Sequence, residues 1–466
     1  MKKLLLLLLT AHQLVSQDKL GYINSEYAGI SSIYSNPTNF LNSKLFIDIN
    51  VVGANAFIAN NLVYYPKSTS SVLKNNFSNP GQNLKDVTKR GFAEFTIEGP
   101  SAGVSIDNYS FGFFINGRSM AEAKVSKTLA SYVLKTKDQS YFNENGIQNQ
   151  RAFFGFGAWT EFGLNAAYMY RRNHYSFRNV GVNLKYLVGI AHASFRVNDA
   201  DYDISNTGDL ENVHASISYK YNIPQWNAGK GIALDLGWSY TRMLEAVSNY
   251  SPNNKKISGC KHISYKYKLG ASITDLGFIN YKKNASSKKI EYDSGSINLD
   301  STKANSFESI DQELSRVGNG LKTSSKNHFL AVMPIGINVQ YDYNFENNFF
   351  INSSISVGPR IVGQLKRPDL LSITPRYDRK YFGAALPISL YNWTYPQVGF
   401  ALRFGTNFII GTDRAGYIFG LVRNTYGANI YFNLKIALFT HCGQRKKRMK
   451  STNDCISKDQ PLLKNK

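Results

Sequence analysis

Ala428-Asn-Ile-Tyr-Phe-Asn-Leu-Lys-Ile-Ala-Leu-Phe439 is the stretch on which the fold turns. Ile430, Phe432, Leu434, Ile436 and Leu438 fall on one face, and Asn429, Tyr431, Asn433, Lys435 and Ala437 on the other, which is the two-residue period of a strand. Alternation alone also suits a soluble sandwich. This run, however, is long, closes on aromatic Phe439 and gives way at once to the basic stretch 444–450. It reads as the last strand of a barrel whose apolar face meets lipid.

The opposite end of the chain fits an exported protein. Met1-Lys2-Lys3, six leucines from Leu4 to Leu9 and a small residue at Ser16 have the parts of a secretory leader, expected at 1–16. Beyond it no segment approaches the roughly 20 apolar residues of a membrane helix. A mean hydropathy of −0.30 does not exclude a barrel, whose lipid face is hidden in alternation. An aromatic share of 14%, with 30 Tyr and 29 Phe, suits interfacial girdles. No linker-like composition divides the 466 residues, so a single barrel over 44–440 is expected.

The net charge of +22 becomes +20 without Lys2 and Lys3. Its clusters, 282–289 and 445–450, are not interleaved with stacking aromatics, which argues against nucleic acid. Outer-membrane lipid and glycolipid supply an anionic surface instead. Cys260, Cys442 and Cys455 are too few for a disulfide scaffold and lack metal-ligand spacing. Cys442 and Cys455 could pair with each other or remain free.

Between leader and barrel, 17–43 is rich in Gly, Asn, Ser and Tyr and reads as an irregular arm, either plugging the lumen or fraying from it. Alternating strands then begin at Leu45 and recur through 162–170, 182–190, 213–221, 232–240, 335–343 and 398–410, with a strand at 417–422 before the last. The expectation is an all-β transmembrane antiparallel barrel of about 14 strands, 12 to 16, with a basic tail over 441–466. Two short helices are expected in loops, at 120–134 and near 307–317, and a long polar insertion over 282–327. No phosphate loop, paired-Cys site or zinc-protease motif is present. His214 and Ser216 share one polar face, a spacing common by chance, so neither catalysis nor a cofactor is expected.

Two stretches carry a resemblance. Tyr27-Ala28-Gly29 with Ser35-Asn36-Pro37-Thr38 resembles the start of the long-chain fatty-acid transporter superfamily, whose arm plugs the barrel. Thr38 stands where that pattern has Ala. Arg403-Phe404-Gly405, Ile410-Gly411-Thr412-Asp413-Arg414, Phe419-Gly420-Leu421 and the run from Gly427 to Ile436 resemble the closing hairpins of an uncharacterised family of Bacteroidota outer-membrane barrels. Members of that type often continue into a wall-binding domain, which this basic tail does not resemble. The resemblance implies a barrel in the outer membrane of a Gram-negative bacterium, folded by the barrel-assembly machinery. It leaves two functions open: passive uptake of small or hydrophobic solutes past a hatch made by Tyr27, Ala28, Gly29, Asn36 and Pro37, or a closed structural component that binds other envelope proteins. An uptake barrel should keep an apolar pocket beside its hatch; a scaffold should be blocked.

Overall fold

The computed structural model describes residues 19–438 apart from 42, 67–69, 72–75, 78–80, 84, 86, 128–129, 131–146, 205–209, 249, 251, 255–261, 294–322, 394–395 and 417–423. The leader, Phe439, the tail, all three cysteines, the helix expected near 307–317 and the strand expected at 417–422 lie outside the described residues.

The chain runs up and down around one sheet. It begins with β1 (Ile47–Asn60), β2 (Lys89–Glu98, resumed as Ser101–Ile106), β3 (Tyr109–Val125), β4 (Ile147–Asn173) and β5 (Ser176–Ile204). The middle strands are β6 (Leu210–Asn222, resumed as Gly229–Met243), β7 (Tyr265–Tyr281 and Ala285–Asp293) and β8 (Thr323–Lys326, Phe329–Val332 and Gly336–Asn344). Then follow β9 (Phe349–Val357), β10 (Leu370–Asp378), β11 (Phe382–Ala385 and Ile388–Tyr391), β12 (Gln397–Val398 and Phe400–Phe404), β13 (Phe408–Thr412) and β14 (Gly427–Leu438). Counted between chain reversals, the strands number fourteen, inside the expected range; taking the offset halves of β6 and β7 separately gives sixteen. Pro100, Pro224 and Pro387 sit in three of the breaks, where a residue without an N–H cannot continue the ladder.

All neighbours are antiparallel and the sheet closes on itself, because Ile47 pairs with Leu438 and Ala59 with Gly427. That seam has twelve registered pairs, whereas β13 and β14 share four, Phe408–Gly411 against Leu434–Tyr431. Closure leaves no free edge, the condition for a sheet to sit in lipid. Reversals on the side of the termini are mostly short, at 107–108, 174–175, 345–348, 379–381 and 405–407, while the far side carries the long connections. This is the polarity of an outer-membrane barrel, with short periplasmic turns.

Outward positions are apolar all round. Ile430 is 49% exposed and Leu434 44%, while Asn433 and Lys435 between and beside them are buried. Leu164, Leu184, Ile232, Phe111 and Ile337 repeat the pattern on five other strands. So broad an exposed apolar surface belongs in lipid, and no helix among the described residues is long and apolar enough to cross a membrane.

Three expectations about local structure fail in whole or in part; of the helix expected over 120–134, Lys127 and Ala130 are helical and 128–129 and 131–134 lie outside the described residues. Met120 to Val125 are not helix but the end of β3, held by β2 on one side and β4 on the other, so two ladders override the helical propensity of the Ala and Lys residues there. The polar insertion expected from 282 contains a strand, 285–293, paired with β6. The run 398–410 is a hairpin that reverses at 405–407, where Gly405 takes φ +61°. A bulge between Gly189 and Ala191 also breaks the outward face of β5, and Val188 is buried.

Candidate functional site

The arm lies inside the barrel. From Lys19 to Leu45 most of its residues are buried, including Ile30, Ile33, Phe40 and Leu41, and Gly29–Tyr34 forms a short 3-10 helix. Tyr27, Ala28, Gly29, Asn36 and Pro37 are all brought to the lumen wall, whereas Ile430, Phe432, Leu434, Ile436 and Leu438 face outward.

Polar side chains of the wall hold the arm by its backbone. The Lys435 ammonium donates to the carbonyls of Tyr27 (2.7 Å) and Ala28 (3.0 Å) and pairs with Asp48, which in turn accepts from the Ile30 amide at 2.8 Å. Asn183 donates to Ile33 O, Ser272 to Ser35 O and Asn165 to Pro37 O. Asn36 closes its own turn by accepting from the Thr38 amide and hydroxyl, and donates across the wall to Trp238 O and Ala271 O. At the arm's start Lys19 pairs with Glu98 at 2.5 Å and also bonds Asn433. Burial pulls the Lys19 ammonium below its ordinary pKa, against the pull of Glu98. The hydroxyl of Thr38, which stands where the resembled pattern has Ala, joins the Asx turn of Asn36.

Glycines make the close approach possible. A Cβ on Gly237 would stand 2.7 Å from Pro37 Cδ, and one on Gly181 would stand 2.9 Å from the Pro37 carbonyl carbon. Gly29 itself has φ +62°, and a Cβ there would overlap the Asp48 carboxylate. Gly237→Val is therefore expected to loosen the arm by about 1–3 kcal/mol without touching the lipid face. Limited proteolysis at Lys44 checks it; cleavage no faster than in the unaltered protein would refute the packing.

The lumen is layered. Near the termini Leu41, Met169, Phe177, Val247, Tyr250 and Tyr265 form an apolar floor, to which the 244–264 connection contributes. Above it lie the arm and a buried ion network: Arg118 contacts Glu161 and Asp275 at 2.9 Å and Glu94 at 3.3 Å, while Lys185 contacts Asp275 (2.7 Å) and Asp235 (2.8 Å). A second group joins Arg376 to Asp342 and Arg403 to Asp378, each at 2.7 Å. Towards the far mouth Phe57, Phe92, Met120, Trp159, Tyr281, Met333 and Tyr391 form an apolar cluster, with Leu365 of the 358–369 connection folded into it. Two cavities beside the arm, one against Arg376 and Arg403 and one against Thr241 and Lys268, each have room for only about one or two water molecules.

Sequence reasoning missed Lys435, Asp48, Asn183 and Gly237 as arm partners. Their signal was present only as polar residues on an inward face; which of them meet the arm depends on its path. His214 and Ser216 do share a face of β6, opposite Asp201 and Asn198 of β5. No group of metal-ligating residues occurs among the described residues.

One described protein family matches residues 37–413, most of the chain. The chain belongs to the Family of unknown function (DUF5723). No curated protein matches this DUF5723 member. Among solved structures it is similar to the Pseudomonas putida toluene transporter TodX, at 10% identity over 90% of this chain and 96% of that one, with a TM-score of 0.44. A Pseudomonas aeruginosa FadL homologue is similar at 9% identity, over 88% and 94% of the two chains, with a TM-score of 0.25. The outer membrane protease OmpT from Escherichia coli follows at 8% identity, over 84% and 95%, with a TM-score of 0.21. Scores this low transfer no function to the DUF5723 chain.

Proposed function

We propose that this protein serves passive uptake of small or hydrophobic solutes across the outer membrane of a Gram-negative bacterium, with the arm as its hatch. The observation that carries this reading is how the arm is held. Hydrogen bonds and ion pairs latch it to a wall whose own ladder closes without it, so the arm can leave while the barrel stays folded. The apolar cluster under the far mouth favours a hydrophobic solute over a strongly hydrated one. In the state described the path is shut.

The test compares single-channel conductance of the intact protein with that of a chain lacking 17–41. Current steps that appear or grow on deletion support the hatch. A silent, folded deletion variant supports the other reading, a closed structural barrel. Two observations favour that alternative: the cavities beside the arm are edged by charged groups and hold only about one or two waters, where a solute path would keep an apolar pocket, and the Arg118–Asp275–Lys185 network uses no arm residue, so a second barrier remains when the arm is gone.

A further inference from the structure

The far mouth carries a collar of positive charge that faces the barrel axis. Strand pairing establishes the face, because directly opposed residues project to the same side. Arg90 of β2 stands opposite Lys124 of β3, Lys124 opposite Phe153 of β4, and Phe153 opposite Arg196 of β5. Phe153 is buried, and the Cβ position of Gly155, two residues on, meets both Phe153 and the lumen residue Leu365. The row continues on that side: Arg196 opposes Ser218 of β6, which opposes Lys289 of β7, while Lys220 opposes Ser287, which opposes Lys326 of β8. Ala285, in step with Ser287 and Lys289, packs in the apolar cluster of the mouth.

The connection 358–369 adds Arg360, which pairs with Glu122 at 2.5 Å, and Lys366, which pairs with Asp369 at 2.9 Å. Lys289 pairs with Glu291. Arg90, Lys124, Lys220 and Lys326 form no ion pair among the described residues. Arg360, Arg90 and Lys366 all lie within electrostatic reach of Lys124, against the single carboxylate of Glu122. Like charges set directly opposite one another, as Arg90 and Lys124 are, cost stability and do nothing for the fold. Glu122, Asp369 and Glu291 offset three of these cations, and a mouth left with an excess of one sign concentrates ions of the other.

We propose that this collar binds oxyanion-bearing solutes of phosphate type arriving from the medium. If the uptake reading above holds, the solute admitted by the barrel joins such an anionic group to an apolar body, the group meeting the collar and the body the apolar cluster beneath it. Outer-leaflet glycolipid also bears phosphate, but it lies against the outer wall, whereas the collar faces the axis.

The test titrates the intact protein in detergent micelles with inorganic pyrophosphate, by calorimetry at low salt. Saturable binding is expected, weakening steeply as sodium chloride is added. The double variant Arg90→Gln/Lys124→Gln should bind about tenfold more weakly, while Lys380→Gln, at the opposite end, should bind as the parent does. Neutralising opposed like charges relieves repulsion, and heat-modifiable migration on a gel checks that the variant is folded. No saturable binding, or equal binding by the double variant, overturns the site; so does binding to lipopolysaccharide vesicles without binding to pyrophosphate. Bilayer reversal potentials of the chain lacking 17–41 separate the two readings. Pyrophosphate binding with a silent deletion variant keeps the collar and removes uptake, and conduction without anion preference or binding does the reverse.

Discussion

Asp275→Ala is expected to lower the stability of the folded barrel by about 3–5 kcal/mol, the cost of leaving buried charges without their partner. Asp275 accepts from Arg118 at 2.9 Å and Lys185 at 2.7 Å, and Arg367 lies 3.9 Å away. Its removal takes the shared carboxylate from cations of β3 and β5 that are both nearly inaccessible to solvent. Glu161 and Asp235 remain as partners, which limits the loss. Denaturant unfolding in micelles measures it, and Trp159 is a built-in reporter because the Arg118 guanidinium lies 5.2 Å from its ring. An unchanged midpoint would mean that water screens the network.

Leu434→Lys should cost about 2–4 kcal/mol if the side chain meets the middle of the bilayer. The neighbouring Asn433→Lys should also be costly, for another reason. Asn433 is buried, donates to Asn50 and Glu98 and accepts from Lys19, so an added ammonium there meets packed protein and a second cation. The two costs separate in a chain lacking the arm: the penalty at 433 should shrink once Lys19 is gone, and the penalty at 434 should not. Refolding yield into vesicles reads both. Equal behaviour in the two backgrounds would overturn the assignment of faces or the place of Lys19.

These variants mark what the sequence could and could not reveal. Period-two alternation in the terminal strand named both its faces correctly, because the solvent on one side is lipid and the pattern is local. It could not say that the inward face is dry. Asn433 and Lys435 look like residues that line water, yet both bond within a filled lumen, and their partners lie at Glu98 and Asp48, more than 300 residues earlier. Asn36 and Pro37 stood out as a turn because that chemistry is local; Gly237, which makes room for them, lies two hundred residues away on a strand where any small residue would have read the same. The first part of the helix expected at 120–134 failed for a related reason, since the ladders that hold Met120 to Val125 extended come from other strands, while Lys127 and Ala130 beyond them are helical. The apolar cluster at the far mouth also went unread, because Phe57, Phe92, Trp159 and Tyr391 each supply one ring from a different strand.

The unequal seams flanking β14 bear on how the barrel would come apart under force. Here β14 grips β1 through twelve registered pairs and β13 through four. The tether to β13 should tear first, so the barrel opens along that seam while β14 stays on β1; the first rupture frees almost no chain, and length is released only when the twelve-pair seam with β1 gives way.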